Sequence, residues 1–166
     1  KFNEKSFEED LTNLESFYKN EGYRDFKVLK KEILYDANKI TIVLDLFEGT
    51  KYYYKSFEFV GNEKFSDEYL LDILDIHKGE KYNKEKLEFS IYENVTSLYM
   101  DEGHYFFNIV KEVIPTYDDS LEVRLIIEEN PKVKIRKIFI NGNSKTIENV
   151  IRRELKIHPN DYFNRG

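Results

Sequence analysis

Hydrophobic and polar residues alternate with two different periods along the chain, and the period changes in a fixed order. Phe57 and Phe59 lie on one face of an alternating segment, which predicts a strand at about residues 53–60. Gly61-Asn62 then interrupts the alternation, because this pair favours the positive φ angles of a tight turn. We expect a helix to begin directly after the turn, with Ser66 as its N-cap.

Two helices follow the first strand. The spacing of apolar residues predicts a short helix at about residues 66–76 and a longer one at about residues 84–102. The longer helix has a hydrophobic stripe on one face. This stripe consists of Leu87, Ile91, Val95, Leu98 and Tyr99. Gly103 is expected to end the helix, because glycine adopts the left-handed backbone that follows many helices.

Two strands complete the pattern, at about residues 105–114 and 120–128. In the second of them, apolar residues alternate with charged ones, which predicts one buried and one solvated face. The alternating residues are Leu121, Val123, Leu125 and Ile127 against Glu122, Arg124 and Glu128. The predicted order of elements is therefore β-α-α-β-β.

The same pattern recurs at an offset of 81 residues. SFYKNEGYRDFKV at residues 16–28 matches SLYMDEGHYFFNI at residues 97–109, and no gap is needed as far as residue 164. Tyr82-Asn83 thus corresponds to Phe163-Asn164. In the later copy, Thr146 is the expected N-cap of the corresponding helix.

The repeat divides the chain into one complete unit and two half-units. Residues 51–131 form the complete unit. Residues 1–50 are expected to form the second half of a unit (α-β-β), and residues 132–166 the first half of another (β-α). In that last segment, Ile138 and Ile140 match Phe57 and Phe59, which predicts a strand.

Each half-unit would be unstable alone, which leaves two alternatives. Either the missing halves belong to a longer chain, or the copies undergo half-domain exchange, in which the end of one molecule completes the beginning of another. The junctions between units are short and contain no flexible Gly/Ser-rich segment. Neighbouring units are therefore expected to form a semi-rigid rod.

Composition limits the classes of function. The 166 residues include 26 basic and 32 acidic side chains, which give a net charge of −6, and 40% of the residues are hydrophobic. This hydrophobic content is sufficient for a packed core. The net negative charge argues against nucleic acid as a partner, because phosphate binding requires clustered Lys and Arg. The absence of cysteine excludes disulfides, thiol nucleophiles and Cys-ligated metals.

Residues suited to catalysis or metal binding are scattered. Two of the three histidines, His77 and His158, occupy the same position in successive repeats, and the third is His104, so no shared metal site is expected. The acidic pair Asp118-Asp119 fits a solvated turn better than a general acid and base. GNSKT at residues 142–146 lacks the leading glycine of a phosphate-binding loop. We assign no catalytic, cofactor-binding or metal-binding residue, and expect no enzyme activity and no cofactor.

Four segments of the chain carry a family resemblance. They are FVGNEKFSDEYLLDIL, KGEKYNKEKLEFS, LYMDEGHYFFNIV and INGNSKTIENVIRRELKIHPNDYFNR. In order and spacing they resemble the tandem POTRA (polypeptide-transport-associated) domains of BamA-type outer-membrane protein assembly factors. One departure is Pro-Asn-Asp at residues 159–161, where the family has Pro-Gly-Asp.

The resemblance implies an α+β fold of tandem POTRA repeats. Each repeat would have a three-stranded mixed sheet covered by two helices, with its last strand in the middle and its second strand on an edge. The resemblance also implies a periplasmic location as part of an outer-membrane protein whose own C-terminal barrel domain follows. The implied partners are unfolded outer-membrane barrel precursors and outer-membrane assembly lipoproteins.

An edge strand offers unpaired N–H and C=O groups, to which a partner can add a strand. The candidate partner-binding edge comprises Tyr105, Phe106, Phe107, Asn108, Ile109, Val110, Lys111, Glu112 and Val113. Strand addition makes few demands on sequence and so suits a receptor for many barrel precursors. The charges of Lys111 and Glu112 are equally well explained as protection against aggregation.

Two alternatives remain at this stage. One is a POTRA module of a different secretion or division protein with a single dedicated partner. The other is a KH-like RNA-binding module, which also combines two helices with three strands. A KH module needs a GXXG loop between its helices, whereas this chain has Gly79-Glu80-Lys81-Tyr82 and a net negative charge, which disfavours it.

Overall fold

A computed structural model describes residues 2–162 of the chain; Phe163 and Asn164, the repeat partners of Tyr82 and Asn83, lie outside this range. Nine helices and strands follow one another in the described residues. They are α1 (Glu4–Asn20), β1 (Lys27–Asp36), β2 (Lys39–Phe47), β3 (Tyr53–Val60), α2 (Asp67–Leu74), α3 (residues 84–101), β4 (Asn108–Pro115), β5 (Ser120–Glu128) and α4 (Glu148–Glu154).

The central unit has the β-α-α-β-β order that the sequence predicts. Its sheet has the strand order β3-β5-β4, with β3 parallel and β4 antiparallel to β5. The last strand is therefore in the middle and the second strand is on an edge, which confirms the arrangement implied by the family resemblance. Strand β5 occupies residues 120–128, as the alternation predicts.

The core lies between one face of this sheet and helices α2 and α3. The buried residues of β5 are the four apolar residues of its alternation, and its charged residues face the opposite side. The core consists of Tyr54, Phe59, Leu70, Leu74, Ile76, Tyr82, Leu87, Ile91, Val95, Tyr99, Leu121, Val123, Leu125 and Ile127. Replacing one of the buried leucines by alanine is expected to cost about 2–5 kcal/mol, which is a large part of the stability of a domain this size.

Helix α3 contains a π-helical segment that the sequence analysis did not predict. The segment Ser90–Val95 lies between the α-helical segments Lys84–Phe89 and Thr96–Asp101. The wider π-helical turn keeps residues spaced by four on one face, where an α-helix would rotate them gradually away. Ile91 and Val95 both remain buried as a result.

Three predicted boundaries in the complete unit change. Helix α2 spans Asp67–Leu74 rather than residues 66–76; Ser66 is its N-cap as expected, and Asp75 ends it with a φ of +51°. Strand β4 begins at Asn108 rather than at residue 105. Residues 105–107 instead belong to a turn, in which the amide of Phe107 donates a hydrogen bond to the carbonyl of His104.

The C-terminal segment contains two further corrections. The strand expected at Ile138 and Ile140 is not formed, because β3 pairs with the last strand of its own unit and residues 132–162 contain no such strand; Lys134 makes only an isolated bridge to Tyr162. Thr146 is not an N-cap either. The residue that precedes α4 is Ile147, 81 positions after Ser66, and it makes no side-chain capping bond.

The N-terminal segment forms helix α1 and the antiparallel hairpin β1-β2. None of the residues of α1 is buried. Gly22 and Gly103 each lie two residues after the end of a helix, with φ of +107° and +91°, as the sequence predicts for helix-terminating glycines. Within residues 2–162 the helices are too short or too polar to span a bilayer.

Candidate functional site

Strand β4 forms a free edge of the three-stranded sheet. Within residues 2–162 it pairs only with β5, in a register that runs from Asn108 opposite Glu128 to Pro115 opposite Leu121. The hairpin closes with a hydrogen bond of 2.8 Å from the Thr116 amide to the Ser120 carbonyl. This bond fixes which backbone groups of β4 point toward β5.

Antiparallel pairs alternate between hydrogen-bonded and non-hydrogen-bonded positions. Counting back from the Thr116–Ser120 pair, the N–H and C=O groups of Ile109, Lys111 and Val113 point away from β5. Pro115 occupies the next outward position, where its missing N–H removes no bond to β5. The edge therefore offers three outward amides and their carbonyls to an added strand.

The side chains of these residues hold the edge in place. Ile109 and Val113 pack against the hydrophobic core. The Lys111 Nζ atom lies 2.8 Å from Oε1 of Glu88 on α3. This hydrogen bond holds the pKa of the Glu88 carboxyl below its usual value. The backbone of β4 is thus fixed to the helix layer on one face while its hydrogen-bonding groups remain outward.

An ion-pair row crosses the other face of the sheet. Arg124 on β5 lies 2.7 Å from Glu58 on β3 and 3.4 Å from Glu112 on β4. The pair with Glu58 is the main cause of a raised pKa of the guanidinium. Because these groups are exposed to solvent, their contribution to stability is small. Both charges of the edge, Lys111 and Glu112, are thus engaged within the unit.

The opposite edge of the sheet is partly closed. The Tyr54 amide donates to the Glu80 carbonyl at 2.9 Å, and the Gly79 amide donates to the Tyr54 carbonyl at 2.7 Å. A backbone bridge also joins Tyr53 to Lys81. The loop before α3 therefore occupies the beginning of β3, which leaves β4 as the more accessible edge.

The predicted edge residues divide into two groups. Residues 108–113 lie on β4 as expected, whereas residues 105–107 lie in the preceding turn. Tyr105 and Phe106 are exposed there, and the ring of Phe107 stacks on Tyr99 with centroids 4.3 Å apart. The sequence pattern could not reveal this turn, because its residues are as apolar as a strand.

A second feature is a junction between units, which occurs twice. At the first junction the Tyr52 amide donates to the Gly22 carbonyl at 2.9 Å. At the second, 81 residues later, the Val133 amide donates to the Gly103 carbonyl at 3.1 Å. In each case a helix-terminating glycine binds the first residues of the next unit.

An aromatic ring and a carboxylate strengthen each junction. Tyr99 stacks on Phe107 and donates a hydrogen bond of 2.7 Å to Glu129. Burial, followed by this bond, raises the pKa of the Tyr99 phenol. Tyr18 repeats the arrangement, stacking on Phe26 at 4.0 Å between centroids and donating to Glu48 at 3.0 Å.

Polar contacts connect the first half-unit to the complete unit. Lys81 pairs with Glu21 at 2.8 Å, and the Glu85 amide donates to Oδ1 of Asn20 at 3.0 Å. At the second junction, Lys132 and Lys64 both pair with Glu102, at 3.3 and 3.4 Å. These two lysines lower the pKa of the Glu102 carboxyl.

The turn before each second helix is also repeated. Gly79 has a φ of +88° and Asn160, its counterpart, has a φ of +76°. The Asn160 amide donates to the Ile135 carbonyl at 2.7 Å, as Gly79 does to Tyr54. Asparagine tolerates this left-handed conformation better than most residues do. The Pro-Asn-Asp sequence therefore keeps the backbone geometry of a glycine turn.

The residues considered for catalysis have structural contacts. The amides of His77 and His158 donate to the carboxylates of Glu80 and Asp161, at 2.9 and 2.6 Å. His104 Nδ1 lies 2.9 Å from the Asn130 carbonyl. The described part of the chain contains no group of three or more residues that could hold a metal ion.

The GNSKT segment follows the same rule. Asn143 donates to the Thr146 carbonyl at 3.2 Å, as Asn62 does to the Phe65 carbonyl at 3.0 Å. The segment is therefore the second copy of a turn between a first strand position and a helix, and it has the φ of +86° at Gly142 that this turn requires.

A repeated two-helix, three-stranded unit with a free edge strand and linked ends defines a tandem scaffold module. The sequence profile of POTRA, described as surface antigen variable number repeat, matches residues 52–130 and 133–166. The chain therefore belongs to the POTRA family.

Its relatives include proteins described as outer membrane protein assembly factor BamA. That of Neorickettsia risticii is 30% identical, over 95% of this chain and 21% of the relative. That of Buchnera aphidicola is 26% identical, over 98% of this chain and 27% of the relative. That of Neisseria meningitidis is 27% identical, over 93% of this chain and 20% of the relative. The chain thus spans about a fifth to a quarter of the length of these relatives.

Two solved structures share the fold. The crystal structure of Haemophilus influenzae BamA POTRA3-5 aligns with a TM-score of 0.68 and 18% identity, over 99% of this chain and 66% of that one. BamA from Haemophilus ducreyi lacking POTRA domains 1-3 aligns with a TM-score of 0.62 and 14% identity, over 78% of this chain and 24% of that one. At these identities the likeness establishes the tandem POTRA fold.

Proposed function

We propose that this chain is the periplasmic POTRA region of an outer-membrane protein assembly factor, and that it binds extended segments of partner proteins by strand addition at β4. The observation that carries the proposal is the row of outward backbone groups at Ile109, Lys111 and Val113, on a strand fixed from behind by the core and by Glu88. Backbone hydrogen bonds supply affinity with little dependence on the partner's sequence. Such a site suits barrel precursors, whose strands differ in sequence but share an extended backbone.

The proposed partners are unfolded outer-membrane barrel precursors and assembly lipoproteins. The relatives described as assembly factors favour this role over a module with one dedicated secretion or division partner. Binding and positioning need no reacting group, so the proposal includes neither catalysis nor a cofactor. In a longer protein, the chain would connect these partners to a membrane-embedded barrel.

The second part of the proposal is a scaffold role. The two junctions use the same glycine carbonyl, tyrosine and carboxylate contacts, which favours a fixed orientation between consecutive units. A semi-rigid array would hold the free edges at constant spacing and direction. An extended precursor could then contact several units without collapsing.

The test is peptide binding by a matched pair of variants at one edge position. Lys111→Ala and Lys111→Pro both remove the contact with Glu88, but only proline also removes the outward amide. The probe is a fluorescent peptide with the sequence of one strand of an outer-membrane barrel. We expect Lys111→Ala to bind within about twofold of the unaltered chain and Lys111→Pro to lose at least about fivefold in affinity, since one backbone hydrogen bond contributes about 1 kcal/mol.

Equal affinity of the two variants, with unchanged circular dichroism, would refute strand addition at β4. Undetectable binding by the unaltered chain at millimolar peptide would refute the receptor role itself. The scaffold role is tested separately by small-angle scattering, in which a flexible chain would give a broad distribution of lengths instead of a single one.

A further inference from the structure

The first half-unit exposes a surface that the complete unit buries. In the complete unit, β5 lies between β4 and β3, whereas its counterpart β2 pairs only with β1 among the described residues. Ile40 and Ile42 on β2 are 41% and 40% exposed. Their counterparts on β5, Leu121 and Val123, are 0% and 1% exposed. We refer to α1, β1 and β2 as the head.

The C-terminal segment carries the elements that would cover this surface. We refer to residues 132–157 as the tail, which corresponds to β3 and α2 of the complete unit. Its helix α4 buries no residue, and Ile157 is 51% exposed where its counterpart Ile76 is fully buried. Gly61 is closely packed, since a Cβ there would lie 2.3 Å from the Ile127 carbonyl, while Gly142 has no atom within 4 Å of that position. The tail therefore has an open space where the complete unit has a strand.

Head and tail of one molecule lie at opposite ends of the complete unit. The head precedes the beginning of β3 and the tail follows the end of β5, and these two strands are parallel. The tail forms its backbone bonds within itself and to Gly103, as in the 2.9 Å bond from the Ile135 amide to the Asp161 carbonyl. A partner for the head must therefore come from a second molecule.

We propose that the tail of one molecule completes the head of a second copy of this chain. Residues 134–141 would pair in parallel with β2, and α4 would cover the hairpin. The β3–β5 pairing, shifted by 81 residues, supplies the register. On the inner face it places Ile135 opposite Ile40, Ile138 opposite Ile42 and Ile140 opposite Leu44.

The outer face of this pairing is also apolar. The equivalents of the Glu58–Arg124 ion pair are Phe139 and Val43, which are 80% and 40% exposed in the single chain. Burying both would remove apolar area from water at about 25 cal/mol per Å². This substitution of a charged pair by an apolar pair favours an occupant with the chemistry of the tail itself. The contact joins two different surfaces, so repeated association would form open chains or rings.

Disulfide trapping tests the register, because the chain contains no cysteine of its own. A Val43→Cys chain is mixed with a Phe139→Cys chain under mild oxidation. The expected product is a covalent dimer of the two variants, since opposed residues in paired strands are within disulfide distance. The matched control mixes Val43→Cys with Ile140→Cys, whose side chain faces the opposite side, and should give at least tenfold less product.

Sedimentation equilibrium measures association directly. The unaltered chain should show a mass that rises with concentration, and Ile138→Asp should weaken association at least tenfold, because the charge would be buried at the contact. Position 138 lies outside the complete unit, so near-ultraviolet circular dichroism should not change. A monomer at all concentrations up to about 1 mM would overturn the proposal and assign both surfaces to other segments of a longer chain. Equal trapping in the control pair would also overturn it.

Discussion

The phenol of Tyr99 donates a 2.7 Å hydrogen bond to the carboxylate of Glu129, and thereby ties the end of helix α3 to the linker that leaves the complete unit. The same carboxylate accepts the backbone amide of Lys64 at 3.0 Å with each of its oxygens. One glutamate thus connects a helix, the turn before α2 and the inter-unit junction. This arrangement explains why the repeat retains tyrosine and glutamate at these two positions.

Removal of this hydrogen bond should destabilise the complete unit. In Tyr99→Phe the ring still stacks on Phe107 but no longer donates to Glu129. We expect a loss of about 1.5–3 kcal/mol in the free energy of unfolding, the range for hydrogen bonds to charged groups. Urea denaturation provides the measurement. Tyr18→Phe is the matched control, and its loss should stay below about 1 kcal/mol because its bond to Glu48 is exposed. A larger loss in Tyr18→Phe would contradict the account.

The two glycines Gly61 and Gly79 should respond differently to the same substitution. Both have a φ near +88°, so alanine costs about 1–2 kcal/mol of backbone strain at either position. At Gly61 the added Cβ would also lie 2.3 Å from the Ile127 carbonyl, whereas at Gly79 the space is open. Thermal unfolding should show Gly61→Ala to be less stable than Gly79→Ala by at least about 1 kcal/mol. Equal losses would mean that β3 and β5 are packed less closely than described.

Buried tyrosines should make the unit sensitive to alkaline pH. Burial is the main cause that raises the pKa of Tyr54 and of Tyr99 well above the usual 10.0. Above pH 10 the unfolded chain loses these protons while the folded chain retains them. Stability is therefore fully present below pH 10 and falls as pH rises through the folded-state pKa values, by up to about 1.4 kcal/mol per pH unit for each phenol.

The variant Tyr54→Phe should reduce this slope between pH 10 and 11.5. Tyr117→Phe, in which the replaced ring is fully exposed, should leave the slope unchanged. Chemical denaturation at several pH values measures both. An unchanged slope in Tyr54→Phe would show that this phenol ionises equally in the folded and unfolded states.

The sequence predicts the parts of this structure that depend on local pattern. The alternation from Leu121 to Ile127 gave the limits of β5, and the tyrosine and glutamate shared by two repeats, Tyr18 with Tyr99 and Glu48 with Glu129, already marked the junction contacts. The start of β4 was wrong by three residues because an apolar turn resembles an apolar strand. Which amides of β4 face outward depends on the hairpin bond of Thr116, a tertiary contact that no local pattern encodes.

The tail shows a different limit of prediction. Ile138 and Ile140 have the alternation of a strand, yet a strand exists only where a partner supplies hydrogen bonds. The N-cap was placed at Thr146 because threonine is a preferred capping residue, although the strict 81-residue offset places Ile147 there. Residue preference alone misled the assignment where the repeat offset would have corrected it.

The measurement that tests the central proposal most directly is residue-resolved amide hydrogen exchange, followed by NMR, with and without a peptide from one outer-membrane barrel strand. Strand addition at β4 is expected to slow exchange at Ile109, Lys111 and Val113, the outward amides. It should leave Val110 and Glu112 almost unchanged, since they already donate to β5. Protection of β3 or of the exposed faces of α2 and α3 instead, with β4 unaffected, would contradict the proposal.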